Sequence, residues 1–439
     1  MKQYILLPVV SAISLVLTAC GGSSSEQSSN SSNQTTDNSV TVPVQTQTIS
    51  LQAYSYQCRM ESPYQADVVF HDKDGGSLGS AKTDSQGIYS NTVPAGTMHI
   101  SVLGDVIDYD LEEYTLIISE LDIQGRKNLG KFYFENYVED CGCEAYELDK
   151  FELGNIGNDY SLQTSYGTTL TDTIEVCPAD TKVYFKAVAH NGLDVKAAVL
   201  DIPKDSFTVK LKESDFSHQG VEVLPDNSQH HSYSSTRGYI PAEHQYQYAF
   251  STGAYGYDPL YIFPSVTEHN FYVRSLSESS YVDNVDIDFS SYARNSVNDD
   301  GSYTVTELPA IKEELATSLL QFANSSNLEY DFSNADSRFG LSQWSFSFLV
   351  DDAQESRFDW IIHSGIRGQI PDLSFGDVFP EPQDEIILEE LGLFLYGYAG
   401  NATDKATYTQ LLETISAGGH LTKPEFSNYV YLNILAKLD

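Results

Sequence analysis

Trp344-Ser345-Phe346-Ser347-Phe348-Leu349-Val350-Asp351-Asp352, followed by Phe358, Trp360 and Ile362, is the stretch on which the fold class turns. Trp344, Phe346, Phe348 and Val350 alternate with Ser345, Ser347 and Leu349, and a period of two puts them on one face of a strand. The acidic pair breaks the run and the return strand repeats it. The stretch therefore predicts a half-buried antiparallel hairpin with both tryptophans packed on its apolar face. The same pattern extends outward. Val183, Phe185 and Ala187 alternate with Tyr184, Lys186 and Val188 before His190-Asn191-Gly192, and Asn-Gly between such runs signals a hairpin. His190 reads as a surface residue beside that turn. Leu193 to Leu200 and Phe207 to Leu211 are expected to continue the antiparallel arrangement, and Ile49 to Cys58 and Ala66 to His71 read as earlier strands. Pro309 to Ala323 carries Leu315, Leu319, Leu320 and Phe322 at helical spacing, whereas alternating Leu391, Leu393 and Leu395 make Ile386 to Tyr398 a strand. Thr407 to Ser416 reads as a short helix and Tyr429 to Leu435 as a final strand. The fold class is mainly β: tandem antiparallel β-sandwich domains with a few helices in the C-terminal region.

The chain has 439 residues, 41% of them hydrophobic, enough for two to four domains with cores of their own. Its 62 acidic residues against 24 basic ones give a formal charge of -38. That balance argues against nucleic acid or anionic lipid as a partner of the folded body, and permits divalent cations or basic partners. An acidic surface that keeps the protein soluble explains the same charge.

At the N-terminus, Lys2, an apolar run from Tyr4 to Leu17, and Leu17-Thr18-Ala19-Cys20 end against Gly21-Gly22. This resembles a bacterial lipoprotein signal, which implies removal of residues 1–19 and fatty acylation of Cys20, with chains such as palmitate. The run is interrupted by Pro8, Ser11 and Ser14 and falls short of the roughly 20 apolar residues that span a bilayer. Three acyl chains at about 0.8 kcal/mol per buried methylene would hold the protein on a membrane. Gly21 in place of Asp after the cysteine implies, for a Gram-negative lipoprotein, the outer membrane, with periplasmic or outward orientation open. Residues 20–47, rich in Ser, Thr, Asn and Gln, read as a tether with a mean reach of about 30 Å.

Asp72-Lys73-Asp74-Gly75-Gly76, Thr83-Asp84-Ser85-Gln86-Gly87-Ile88-Tyr89, Val93-Pro94-Ala95-Gly96-Thr97 and His99-Ile100-Ser101-Val102 together resemble a carboxypeptidase-regulatory-like (transthyretin-like) β-sandwich. The resemblance implies such a module over residues 48–144, and a module of this kind usually accompanies or presents something else. Asp72 and Asp74 suit a calcium loop, but Gly76 and Thr83 occupy the ligand positions of an EF-hand, so turn formation explains them better. With Cys20 set aside, Cys58, Cys141, Cys143 and Cys177 form an even set suited to disulfides in an oxidising compartment. Cys141 and Cys143 would point the same way on a strand. Of the three possible connectivities, the two in which one of them bonds Cys58 and the other Cys177 are favoured. Zinc is a weaker reading of the same residues. A second β-rich domain is expected over residues 145–226, and a Tyr-rich β domain with C-terminal helices over residues 227–439.

Between Ser228 and Phe263, tyrosines cluster on glycine-bearing sequence, and Tyr239, Tyr246, Tyr248, Tyr255 and Tyr257 are candidates to contact a glycan or a protein. Packing within a Tyr-rich sandwich, with Tyr246 and Tyr248 on one face of a strand, is the stronger account of them. His230, His231 and His244 lack the spacing that fixes a metal. Asp286 and Asp288, with Asp283, are weak calcium or glycosidase candidates on a run that a solvated face also explains. No motif for a nucleophile, phosphate loop, zinc protease or haem is present, so no catalytic residue and no cofactor is assigned. Two readings follow. The first is a lipid-anchored envelope lipoprotein with a non-enzymatic binding or structural role toward a glycan, a protein or the envelope. The second is an extracytoplasmic hydrolase of polysaccharide or peptide, which would need a deep cleft, for instance around Asp286, Asp288 and His244.

Overall fold

The computed structural model describes residues 47–438 apart from residues 59, 139, 166–167, 226–232, 242–245, 256–259, 326, 351–355, 381–384, 399–404, 417–425 and 427. Cys20 and its tether lie outside the described residues.

The chain first builds a β-sandwich. The strand Thr48–Gln57 pairs antiparallel with Ile88–Thr92 and parallel with Asn128–Glu135. It faces a second sheet made by Asp67–His71, Ser77–Lys82, His99–Ile107 and Glu113–Glu120. Ile49, Leu51 and Ala53 from one sheet meet Val68, Phe70, Ile100, Val102 and Ile118 from the other, so the alternate positions of each strand fill one core. The turns are made by aspartates. The Asp84 carboxylate accepts the N–H groups of Gln86 and Ile88, and Gly87 follows at φ +71°, where an added Cβ would strike the Ala53 carbonyl oxygen. Asp72 likewise accepts from Asp74 and Gly76, which places its carboxylate in turn formation.

A second sandwich follows. Glu144–Glu152, Thr173–Val176 and Thr208–Lys212 form one sheet, and Tyr160–Thr164, Lys182–Ala189, Val195–Asp201 and His218–Gln219 the other. Tyr146, Leu148, Val183, Phe185 and Leu211 lie in the core between them. One expectation needs correction. Thr208–Lys212 runs parallel to Glu144–Glu152, because the chain crosses from one sheet to the other after Val195–Asp201 instead of turning back within it. The Asn191-Gly192 turn does join antiparallel strands, but the ladder resumes only at Asp194, whose carbonyl accepts the Ala189 N–H at 2.8 Å.

Disulfides Cys58–Cys141 and Cys143–Cys177 staple the connection between the two sandwiches at both ends. Cys141 and Cys143 lie on a loop, not on the expected strand, and Gly142 between them turns the chain at φ +65°.

The remaining chain extends a sheet already begun. Among the described residues, twelve strands form one continuous ladder whose far end is the Ser77–Lys82 sheet of the first sandwich. In the Leu341–Val350 and Arg357–Ser364 hairpin, Phe346 lies opposite Trp360. On its other edge Arg357–Ser364 runs parallel to Glu113–Glu120, with Trp360 beside Ile117. Beyond the hairpin the order runs Ile386–Tyr398, Tyr429–Lys437, Val285–Ser296, His269–Val282, Tyr233–Pro241 and Tyr246–Tyr255, antiparallel throughout. The helix Glu313–Ala323 lies on one face. Its Leu315, Leu319, Leu320 and Phe322 are buried with Leu391, Leu393, Leu395, Leu432 and Ile434, and Phe322 stacks on the fully buried Trp344 at 4.2 Å. A second helix, Lys405–Ser416, packs near the strand Asn128–Glu135, where Glu413 accepts the Asn128 N–H at 3.0 Å.

Candidate functional site

Among the described residues, chemistry-bearing side chains gather in two places. The first is the parallel seam between the first sandwich and the C-terminal strands. Glu120 ends its strand directly opposite His363, and the turn that follows returns Arg126 to the same point. His363 Nδ1 lies 2.7 Å from Glu120 Oε1, Arg126 donates to Glu120 Oε2 at 2.5 Å, and His363 Nε2 lies 3.2 Å from Gln343. Burial alone would raise the Glu120 pKa, but the Arg126 guanidinium and His363 prevail and hold the carboxyl down at about 2.

Beside this group runs a buried relay. Trp360 Nε1 donates to Ser119 Oγ at 2.9 Å, Ser119 Oγ lies 2.7 Å from Ser101 Oγ, and Ser101 Oγ lies 2.9 Å from His71 Nε2. Burial lowers the His71 pKa to about 4 and also lowers that of His99. Carboxylate–histidine and serine–histidine pairs are parts a hydrolase would use. Here Glu120, His71, Ser101 and Ser119 are buried and bond across neighbouring strands of one sheet, so the groups hold strand to strand.

The second place is the sheet face opposite the Glu313–Ala323 helix. Leu393, Leu395, Leu432 and Ile434 point to the core, so the residues between them point the other way. On that face Phe394, Tyr431 and Tyr292 form a row across three strands, with ring centroids 4.5 Å apart at each step. The Arg237 guanidinium lies 5.8 Å from the Tyr292 ring, and Arg294 lies 4.6 Å from Phe271 and 5.4 Å from Tyr429. Burial raises the Tyr292 phenol to about 12 and lifts that of Tyr431 as well, so both hydroxyls remain donors at neutral pH. Phe394, Tyr431, Asn433 and Ser345 are half-buried. Toward one end Tyr398 and Tyr429 pack with Leu411 and Phe426, which close that part of the face.

Of the tyrosines expected to bind, Tyr239 belongs to this face, 5.7 Å from Phe271. Tyr246, Tyr248 and Tyr255 lie in the edge strand beside it, with side chains outside the described structure, and Tyr257, His230, His231 and His244 lie outside the described residues altogether. Asp286 and Asp288 lie on the strand Val285–Ser296. Asp288 is engaged by Ser279 at 2.7 Å and Lys437 at 3.3 Å, and Asp283 sits in the preceding turn. Among the described residues no three His, Cys, Asp or Glu side chains converge where one ion could be held. A shallow open depression lies over Glu329, Tyr330, Asp331, Gly368 and Gln369. Phe394, Tyr292, Tyr431, Arg237 and Arg294 did not emerge from sequence reasoning. Their signal was an aromatic residue at the outward parity of an otherwise regular strand.

No protein-family profile matches the chain, and no curated protein is similar enough in sequence to match it. A weak structural likeness links it to two B repeat units of the collagen binding protein of Staphylococcus aureus. The identity is 8% over 78% of this chain and 99% of that one, and the TM-score of 0.13 is too low to carry an argument.

Proposed function

We propose that this protein is a lipid-anchored envelope lipoprotein, held at Cys20 on the outer membrane, whose β body has a non-enzymatic binding or structural role. The reading divides the body into units over 48–144, 145–226 and 227–439, with the first resembling a regulatory-like module. The row Phe394–Tyr431–Tyr292, flanked by Arg237 and Tyr239, carries the binding part of the proposal. Tyr431 stacks on the buried Tyr292 ring and Phe394 tilts against it, so the half-buried Tyr431 and Phe394 are the accessible members of the row and their ring faces are already covered. That arrangement suits contact with a protein of the envelope better than the stacking of a sugar on a free ring face.

The test has two arms. Full-length protein is expected in the membrane fraction, and Cys20→Ser in the soluble one. A pull-down against envelope proteins and against a glycan panel, with and without calcium, is expected to retain a protein, and Tyr431→Ser to lose it. Retention of a glycan alone would move the role to the sugar. Hydrolysis of a generic substrate panel with nothing retained would overturn the proposal in favour of the hydrolase.

A further inference from the structure

A turn at one end of the first sandwich carries a second surface. Between the strands His99–Ile107 and Glu113–Glu120 the chain reverses over residues 108–112. The Asp108 carboxylate accepts the N–H groups of Asp110 and Glu112, at 2.9 and 3.0 Å, and Arg357 lies 3.6 Å from its other oxygen. The turn is thus fixed from below. Its tip is apolar: Tyr109 is 84% exposed and Leu111 51% exposed, and the Tyr109 ring lies 4.8 Å from that of Tyr137.

Leu111 has φ +64°, a conformation that glycine or asparagine adopts at lower cost, and its side chain is half in solvent. Folding gains little from a leucine there. A side chain kept against both backbone preference and hydration points to a use outside the folded chain. Exposed Asp110, Glu112 and Glu113 surround the tip. Acid around aromatic rings is complementary to lysine or arginine, which can pair with the carboxylates and lie over a tyrosine ring.

We propose that the Tyr109–Leu111–Tyr137 tip docks a basic, partly apolar segment of another protein. The strand Thr48–Gln57 runs away from Gln47 and ends beside this tip, where the Asn136 N–H bonds the Tyr56 carbonyl at 3.0 Å. Ten residues at about 3.3 Å each place the tip roughly 30 Å from the point where the tether enters. Granting the lipid anchor, that geometry and the acidic rim favour a protein occupant over the anionic membrane surface.

The test titrates the full-length Cys20→Ser protein, which carries no acyl chains, with a peptide of alternating Arg and Leu, beside Ser-Leu and Glu-Leu peptides of equal length and vesicles of zwitterionic lipid. The Arg-Leu peptide alone is expected to bind, and 0.5 M salt to weaken it. Tyr109→Ser and Leu111→Gly are each expected to lower affinity roughly tenfold. Thermal unfolding of Leu111→Gly should be unchanged or raised, since glycine relieves the backbone, which separates loss of contact from loss of fold. Leu193→Ser, at an exposed apolar residue of the second sandwich, should bind as the parent does. Failure of the Arg-Leu peptide to bind, equal binding by Ser-Leu, vesicle binding without peptide binding, or an equal loss in Leu193→Ser would each overturn the proposal. Because Tyr431→Ser addresses a different face, failure here leaves the envelope-protein test standing.

Discussion

Glu120 and His363 stand 243 residues apart in sequence, yet Oε1 of one lies 2.7 Å from Nδ1 of the other across the parallel seam. Arg126 completes the group from below, and both Arg126 and Glu120 are buried. Glu120→Gln keeps the shape and removes the charge, leaving a buried guanidinium without its counter-ion. The expected loss is about 3–5 kcal/mol, read from urea midpoints. His363→Gln should cost less, because His363 retains contact with solvent.

Acid should weaken the fold in two steps. His71 has a folded pKa of about 4 against an ordinary 6.5, so between those values the unfolded chain binds the proton that the folded chain refuses. Stability therefore falls as pH drops from 6.5 to 4, by about 3 kcal/mol for this residue. Glu120, depressed from 4.5 to about 2, adds a second loss below pH 4.5. Unfolding midpoints measured from pH 7 to 3 should show both limbs. His71→Gln should flatten the upper one, with His99 supplying what slope remains.

Removing the Trp344 side chain tests the contact between helix and sheet. The indole stacks on Phe322 and lies 4.9 Å from the Tyr330 ring and 6.4 Å from that of Phe346. Trp344→Ala is expected to cost about 3–5 kcal/mol. A loss below 1 kcal/mol by denaturant titration would mean that Glu313–Ala323 is not seated on this face.

The disulfide pattern can be read with thiol labelling under denaturing conditions. Cys58→Ser should expose one new thiol at Cys141, and Cys177→Ser one at Cys143. With sequence separations of 83 and 34, each loss is expected to cost about 4 kcal/mol in the chain-entropy model.

Local pattern carried far into this fold. Alternation at Trp344–Val350 and Leu391–Leu395, helical spacing at Leu315–Phe322 and the aspartate turns at Asp72 and Asp84 each determine structure through near neighbours. Partner choice is different in kind. Nothing in Leu116-Ile117-Ile118-Ser119 says whether its second edge meets solvent or Asp359-Trp360-Ile361-Ile362, because an apolar run reads alike in either case. The same limit hid the aromatic row. Phe394, Tyr431 and Tyr292 lie on strands far apart in sequence, and only the register between those strands brings their rings together.

Tyr429–Lys437, which follows in sequence both strands it pairs with, lies in the interior of the long sheet, between Val285–Ser296 and Ile386–Tyr398. A chain that emerges N-terminus first therefore holds two half-sheets with bare edges until Tyr429–Lys437 is available. Val69, Leu103 and Ile117, on the outer face of the first sandwich, wait for the C-terminal region to cover them. High contact order of this sort slows folding and lengthens the time for which unpaired edges are open to misassociation. For this protein, the vulnerable period is the interval before Tyr429–Lys437 inserts.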